Sequence, residues 1–126
     1  MTIHLNRAGV VGAQRQGLAD LICLCGAPAR LEILLALAET PSEVGTLAGV
    51  LAHDITQISH QLRPLRDAGL VKAARHGCRV MYSLDYGAVE TEESGQAITL
   101  TVRALDGSTV RFTVPRGTTD SNPAAR

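Results

Sequence analysis

The sequence is poor in aromatic side chains and in long apolar runs. It has two tyrosines, one phenylalanine and no tryptophan in 126 residues. Proteins that bind single-stranded nucleic acid by base stacking need several aromatic side chains, so this class is disfavoured. No stretch approaches the roughly 18 apolar residues that a membrane-spanning helix needs. Hydrophobic residues still make up 45% of the chain, which is typical of a folded domain and not of a disordered chain.

A secretory leader and an even set of cysteines are also absent. The N-terminus has no basic region followed by an apolar run, which a secretory signal requires. Three cysteines cannot all pair, so a complete disulfide framework is excluded. These features predict a cytoplasmic protein with free thiols. Residues 117–126 are rich in Thr, Ser, Pro and Ala, and they are expected to be a disordered tail.

Net charge is zero, which by itself argues against nucleic-acid binding. The distribution of the charges argues for it. Residues 55–82 carry five basic side chains and one acidic, a net of +4, whereas residues 1–54 carry three against five and residues 83–126 carry four against six. The middle of the chain is therefore a basic segment between two acidic flanks, and it is the candidate for contact with a polyanion.

The first half of the chain has the apolar periodicity of helices. Residues 13–25 and 28–39 each place an apolar stripe along one face, and Pro28 suits the first turn of the second helix. Ser42 is positioned to cap a third helix over residues 43–51. Three consecutive helices joined by short connections are therefore predicted.

The fourth helical segment, residues 54–68, carries the most information. Apolar side chains repeat at i, i+4 and i+7 from Ile58, and Asp54 with Gln57 resembles a capping box. Pro64 lies inside the segment and predicts a kink. The opposite face of this helix is polar, with small hydrogen-bonding side chains near its start.

Two strands are predicted next, residues 70–74 and 79–84, around the loop Arg75-His76-Gly77-Cys78. Three helices, a short turn, a capped helix and a hairpin follow the order of a winged helix-turn-helix. The predicted fold class is therefore mostly α with a β-wing (α+β). This domain would span residues 13–85, after an N-terminal arm at residues 1–12.

Residues 97–115 alternate as two further strands. A two-residue turn at Asp106-Gly107 would mix polar and apolar faces, whereas a three-residue loop at 105–107 pairs Val102 with Val110 and gives one apolar face. Such a loop is expected to be a type I turn with its glycine in the left-handed region.

This C-terminal β-hairpin extension, residues 86–116, would replace the last helix of a winged-helix domain. A lone two-stranded hairpin is marginal in water, so its apolar face must be covered by the first helix or by a partner subunit. A dimerisation element is the plain interpretation. A replacement sensor or a partner-binding surface is the alternative.

Three stretches of the chain match one known family in order and spacing. Residues 58–71 read ISHQLRPLRDAGLV, residues 24–34 read LCGAPARLEIL, and residues 75–84 read RHGCRVMYSL. They resemble the recognition helix, the start of the second helix and the wing of the ArsR/SmtB family of bacterial metal-responsive repressors. The resemblance covers roughly residues 14–85. It implies a homodimeric repressor on a palindromic operator, released when an inducer binds.

The metal sites of that family do not carry over. Its arsenic/cadmium site uses a Cys-x-Cys at the start of the third helix, where this chain has Glu43 and Gly45. Its zinc/nickel site uses carboxylates and His on a C-terminal helix, and residues 86–126 contain no His. No metal site is therefore predicted, although a metal or metalloid ion stays open as the inducer.

The polar face of the fourth helix and the basic side chains after it form the predicted DNA-binding set. Gln57 can pair bidentately with adenine, and Arg63 with guanine or a phosphate. Arg75 and Arg79 flank the hairpin tip, where phosphates or the minor groove are within reach. The full set is Thr56, Gln57, Ser59, His60, Arg63, Arg66, Lys72, Arg75 and Arg79.

The three cysteines are candidate thiol sensors. Cys23 and Cys25 form a Cys-x-Cys, but two positions on an intact helix differ by about 200°, so these thiols should point to opposite sides. Cys25 lies on the apolar stripe, and core packing is its alternative role. Cys78 lies beside His76 and Arg79, a basic setting that favours a reactive thiolate. Its alternative is a plain exposed loop residue.

Three functions are consistent with these features. The leading one is a homodimeric, sequence-specific transcriptional repressor that binds double-stranded DNA and no membrane. The second is a thiol-based redox or metalloid-responsive regulator on the same fold. The third is a winged-helix protein-interaction module that uses the C-terminal hairpin, although such a module has no need of a +4 segment. An enzyme is not predicted, because the sequence has no Ser/His/Asp or Cys/His pairing with supporting spacing, no phosphate loop and no helical His-x-x-x-His site.

Overall fold

A computed structural model describes residues 2–6, 13–104 and 107–115. In these ranges four helices precede most of the strands. The helices are α1 (Ala13–Gly26), α2 (Pro28–Glu39), α3 (Val44–Leu51) and α4 (Ile55–Asp67). The strands are β1 (Thr2–Asn6), β2 (Val71–His76), β3 (Arg79–Leu84), β4 (Val89–Glu93), β5 (Ala97–Arg103) and β6 (Thr109–Pro115). The predicted winged helix-turn-helix order of helices and hairpin is confirmed. The expected tail at residues 117–126 lies outside the described residues.

The start of α3 differs from the prediction. Glu43, not Ser42, takes the N-cap position, and its side chain does not cap the helix. Ser42 instead forms an isolated antiparallel bridge with Tyr82 of β3, in which its N–H donates at 3.0 Å and its carbonyl accepts at 2.8 Å. The prediction was wrong because the backbone of Ser42 is used by a long-range pairing that local sequence does not encode.

The turn between α3 and α4 is tight. Ala52 ends α3 in the left-handed region at φ 58°, an uncommon conformation for a side chain with a Cβ. Asp54 then begins α4 with the predicted capping box to Gln57. The helix runs through Pro64 and ends before Gly69, whose φ of +80° suits a glycine.

The wing is longer than predicted. Its strand β2 continues through Arg75 and His76, and His76 pairs with Arg79, so only Gly77 and Cys78 form the turn. The predicted four-residue loop is therefore wrong. Gly77 adopts a φ of +67°, which allows the two-residue turn that keeps both strands paired to the tip.

A second, four-stranded antiparallel sheet has the order β1-β6-β5-β4. The predicted register is confirmed, since Val102 pairs with Val110. Gly107 lies at φ +90°, and its N–H donates to the carbonyl of Ala104 at 3.0 Å. The other two loop positions, 105 and 106, lie outside the described residues.

The hairpin is not isolated, because strands β1 and β4 flank it. Residues 2–6, expected to belong to an arm, form the edge strand β1. One hydrophobic core joins the sheet to the helices, and α1 packs against β6. Of the two predicted covers for the apolar face of the hairpin, the first helix of the same chain is the one observed. Phe112 of β6 and Leu21 of α1 are both buried in this core.

No single helix in the described ranges is long and apolar enough to cross a membrane. The segments Ala19–Gly26 and Pro28–Glu39 reach that length and composition only together, and they are bent by 82°.

Candidate nucleic-acid interface

Helix α4 is held in place by its buried face. Ile58, Leu62 and Leu65 are at most 2% exposed, and they pack in the core with residues of α2 and α3. Because side chains at i, i+4 and i+7 share one side of a helix, burying these three turns the opposite side to solvent. The amphipathic sequence of this segment therefore fixes a rigid polar face on the surface.

All nine side chains of the predicted DNA-binding set are exposed. Five lie on α4, one at its C-terminal end and three on the wing. The α4 members in its first half are polar hydrogen-bonding side chains, whereas the later members are arginines. The face therefore offers hydrogen-bonding groups at one end of α4 and cations toward the other end and along the wing.

Gln57 also caps the start of α4. The backbone N–H of Asp54 donates to Oε1 of Gln57 at 3.3 Å, which closes one half of the capping box. Bidentate pairing with adenine needs both the amide oxygen and the amide nitrogen of a glutamine. Base readout by Gln57 would thus compete with its role as a cap.

Two exposed apolar side chains near the turn were missed by the sequence reasoning. Ile55, the first residue of α4, is 56% exposed, and Val50 of α3 is 70% exposed. Val50 lies off the apolar stripe of α3, which was the available signal for it. Ile55, three residues before Ile58, continues the apolar stripe of α4, so the pattern gave no sign of its exposure. Apolar side chains at base edges contact the methyl group of thymine, so Ile55 belongs with the candidate interface.

The wing places its cations on two different faces. Alternate residues of a strand point to opposite sides of the sheet, and directly paired residues share a side. Lys72, His76 and Arg79 therefore lie on one face, whereas Arg75, paired with Val80, lies on the other. Arg75 and Arg79 do flank the tip as predicted, and their side chains leave the wing from opposite faces.

Arg79 is engaged within the protein. Its Nε lies 2.7 Å from Oε2 of Glu43, at the start of α3. The arginine side chain is 73% exposed and the glutamate 32%. An acidic residue from the acidic N-terminal flank thus lies beside the basic face, a contact that sequence spacing gave no signal for.

Tyr82 ties the wing to α4. The guanidinium of Arg66 lies 6.0 Å from the centre of the Tyr82 ring, within the range of a cation–π contact. The same residue bridges to Ser42 through its backbone. The wing is thereby held against both α4 and the segment before α3.

A surface groove runs between the C-terminal half of α4 and the base of the wing. Its lining includes Arg63, Arg66 and Lys72, together with the carboxylates of Asp67 and Asp85. This groove brings three members of the predicted set together. The two acids reduce its positive charge, so it is less basic than the sequence count alone suggests.

The cysteines are arranged as predicted for an intact helix. Cys25 is completely buried, whereas Cys23 and Cys78 are exposed. Burial raises the pKa of the Cys25 thiol from 9.0 to about 11, although the nearby charge of Arg30 acts in the opposite direction. Cys25 is therefore a protonated core side chain at neutral pH.

The residues at the metal-site positions of the ArsR/SmtB family do not form a metal site in the described part of this chain. Glu43, which stands at one cysteine position of that site, is paired with Arg79. Gly45 has no side chain and offers no ligand, and strands occupy the place of the C-terminal helix. Within the described ranges, no group of three or more His, Cys, Asp or Glu side chains is placed to hold a metal ion.

This fold with its exposed helix face defines a winged helix-turn-helix protein of the ArsR/SmtB type. Residues 18–91 match the family model described as "Methanogenesis regulatory protein FilR1, N-terminal domain". The chain belongs to this family.

Two curated relatives carry names of transcriptional regulators. The HTH-type transcriptional regulator NmtR of Mycobacterium tuberculosis is 44% identical over 57 residues, 45% of this chain and 48% of that protein. A transcriptional repressor SmtB homolog of Synechocystis is 39% identical over 71 residues, 56% of this chain and 54% of that protein. The chain thus spans about half the length of these curated relatives.

One solved structure illustrates the likeness of fold. The transcriptional repressor BigR from Xylella fastidiosa superposes with a TM-score of 0.53 at 28% identity. The match covers 56% of this chain and 70% of that one.

Proposed function

We propose that this protein is a sequence-specific DNA-binding transcriptional repressor that acts as a homodimer and leaves its operator when an inducer binds. The observation that carries the proposal is the exposed polar and basic face of α4, held outward by its buried side. The named relatives, which are transcriptional regulators, support it. Neither the described residues nor the relatives point to catalysis.

The proposed contacts follow from where each side chain lies. Thr56, Gln57, Ser59 and His60 occupy the first half of α4, the part of a recognition helix that reaches base edges. Arg63 follows them and can reach a guanine or a phosphate. The remaining cations, Arg66, Lys72, Arg75 and Arg79, contact the backbone and set orientation without reading sequence.

Binding to a palindromic operator requires a dimer. Two recognition helices must enter successive major grooves about 34 Å apart. The exposed side of α1, which the C-terminal sheet supports from behind through β6, is proposed as the dimer contact, and the 39% exposure of Ile22 on α1 supports this choice. An inducer that binds another dimer geometry more tightly would release DNA by its differential affinity.

The test is hydroxyl-radical footprinting of the full chain on DNA from upstream of its own gene. The proposal predicts two protected half-sites whose centres lie 10 to 10.5 base pairs, or a multiple of this, apart. A single protected patch would contradict the dimer. No protection, with retained folding by circular dichroism, would contradict DNA binding and favour the protein-interaction module.

A second candidate, thiol-responsive control of the same repressor, is favoured by the exposure of Cys23 and Cys78. It predicts that an oxidant or arsenite releases bound DNA, and that replacing all three cysteines by serine removes the response. Full release from the triple variant would contradict it. Native mass spectrometry with metals, arsenite and persulfide would show which species binds the dimer.

A further inference from the structure

We propose that Glu43 is a specificity device, an internal carboxylate that competes with DNA phosphates for Arg79 and so weakens binding to nonspecific DNA. The inference rests on the proposed DNA binding. Glu43 lies outside α4 and outside the basic segment at residues 55–82. Glu43 contributes no attraction to DNA and acts by restraining a cation that would otherwise bind any phosphate.

The geometry of the pair supports this role. Oε2 of Glu43 lies 2.7 Å from Nε of Arg79, a short charge-assisted contact. Arg79 is 73% exposed on the wing, so phosphates can reach it, whereas Glu43 is 32% exposed. An accessible cation is thus held by a more sheltered anion.

The backbone of Glu43 is held close to the wing. It is the N-cap residue of α3, and the preceding Ser42 is bridged to Tyr82 of β3 by two backbone hydrogen bonds of 3.0 and 2.8 Å. Tyr82 and Arg79 belong to the same strand. The carboxylate is therefore presented to Arg79 by a clamped segment, and the ion pair does not depend on a freely moving loop.

The chemistry of the pair explains why it discriminates. Arginine has five N–H donors in a planar fork, and the contact to Glu43 uses Nε. A phosphate approaching the remaining donors also meets the negative charge of the nearby carboxylate. Only a complex that places a phosphate closely and holds it there can outcompete this repulsion. Specificity is a difference of affinities, and weakening the wrong complex raises it.

The wing itself offers a contrast. Arg75 lies on the opposite face, and among the described residues no carboxylate forms an ion pair with it. It would contact phosphates without competition. The two arginines of the wing thus have different proposed roles, Arg75 for general affinity and Arg79 for contacts that require correct docking.

The experiment compares Glu43→Gln with Glu90→Gln. Glu90 forms a similar exposed pair with Arg103 at 3.0 Å on the C-terminal sheet, so this control makes the same charge change away from α4 and the wing. Binding of the full chain to its upstream DNA and to a scrambled duplex is measured by fluorescence anisotropy at several salt concentrations. The side chain of Glu43 does not cap α3, and an ion pair as exposed as this one contributes little to stability, so glutamine should change thermal unfolding only slightly.

The expected result is a several-fold rise in affinity of Glu43→Gln for the scrambled duplex and a smaller rise for the upstream DNA. The salt slope on scrambled DNA should steepen by up to about 0.9, the value for one more neutralised phosphate. Adding Arg79→Ala should abolish both changes. Glu90→Gln should bind both duplexes as the wild type does.

Three outcomes would overturn the inference. Weaker binding of Glu43→Gln to both duplexes would mean that the carboxylate only positions the wing. An equal gain in Glu90→Gln would reduce the effect to net charge. A gain that survives Arg79→Ala would assign it to another cation. Failure of the wild type to bind either duplex would instead contradict the proposed function itself, so the two failures are distinguishable.

Discussion

The backbone N–H of Asp54 donates to Oε1 of Gln57 at 3.3 Å, so one side chain both caps α4 and stands in the predicted base-reading set. A capping side chain satisfies an N–H that the helix leaves without an internal partner. When DNA binds, the amide of Gln57 must either keep this bond and read a base with its nitrogen, or exchange it for adenine. If the proposed DNA binding holds, Gln57 therefore serves both helix stability and base recognition.

Gln57→Glu separates these two roles. Glutamate is equally suited to the capping box, so the midpoint of thermal unfolding should stay the same or rise slightly. A carboxylate cannot donate to adenine and is repelled by phosphate, so operator affinity should fall at least tenfold. Gln57→Ala should lower both, with a loss of stability of about 0.5 to 1 kcal/mol. Unchanged operator affinity in Gln57→Glu would remove this residue from the interface.

The buried thiol of Cys25 makes stability depend on pH in an alkaline window. Its pKa is about 11 in the folded chain, against 9.0 for an unperturbed thiol. Because the folded state holds the proton more tightly, the stabilisation is complete below pH 9 and is lost as pH rises from 9 to 11. The free energy of unfolding lost over this range is on the order of 2 kcal/mol. Urea denaturation at pH 7.5 and 10.5 measures the loss.

Cys25→Ala provides the comparison for that pH dependence. It should be less stable at neutral pH because a core atom is removed, yet its stability should fall less between pH 7.5 and 10.5. Cys23→Ala, which alters an exposed thiol on the same helix, should behave as the wild type does. The same alkaline loss in all three chains would assign the effect to other groups.

Arg75→Ala should weaken binding to all DNA sequences by a similar factor. Its side chain lies on the wing, and a backbone contact carries no sequence information. The slope of log affinity against log salt should become shallower by about 1. Binding titrations on upstream and scrambled DNA check this, and a loss confined to the upstream DNA would show that Arg75 reads bases.

The sheet and the helices should unfold together, because they share one core. Leu100 of β5 is fully buried in it. Leu100→Ala should lower the free energy of unfolding by about 2 to 5 kcal/mol and keep a single transition. Thr101→Ala, at the neighbouring position on the outer side of the sheet, should change it by less than about 0.5 kcal/mol. Two separate transitions in calorimetry would show that the sheet is an independent unit.

The elements that rest on local chemistry were predictable from the sequence. The cap at Asp54, the apolar repeat from Ile58 and the register of Val102 with Val110 each depend on residues close in sequence, or on one face being buried. The sequence predicted a four-residue loop where the structure has a two-residue turn at Gly77 and Cys78. Local pattern alone does not set where strand pairing stops.

Two of the missed features depend on contacts between distant parts of the chain. Ser42 looked like a helix cap but bridges to Tyr82, and Glu43 looked like part of an acidic flank but pairs with Arg79. Strand β4 contains three glutamates, a composition that disfavours strands in isolation and suits an exposed sheet edge. Pairing with β5 decides its structure.

Operator binding by Arg63→Ala, measured beside Arg111→Ala, tests the central claim most directly. Both variants remove one exposed arginine, from α4 in the first case and from the outer face of the C-terminal sheet in the second. With DNA from upstream of the gene, anisotropy titrations should show at least a tenfold loss for Arg63→Ala and wild-type affinity for Arg111→Ala. Equal affinities of the two variants for this DNA would contradict the assignment of α4 as the reading helix.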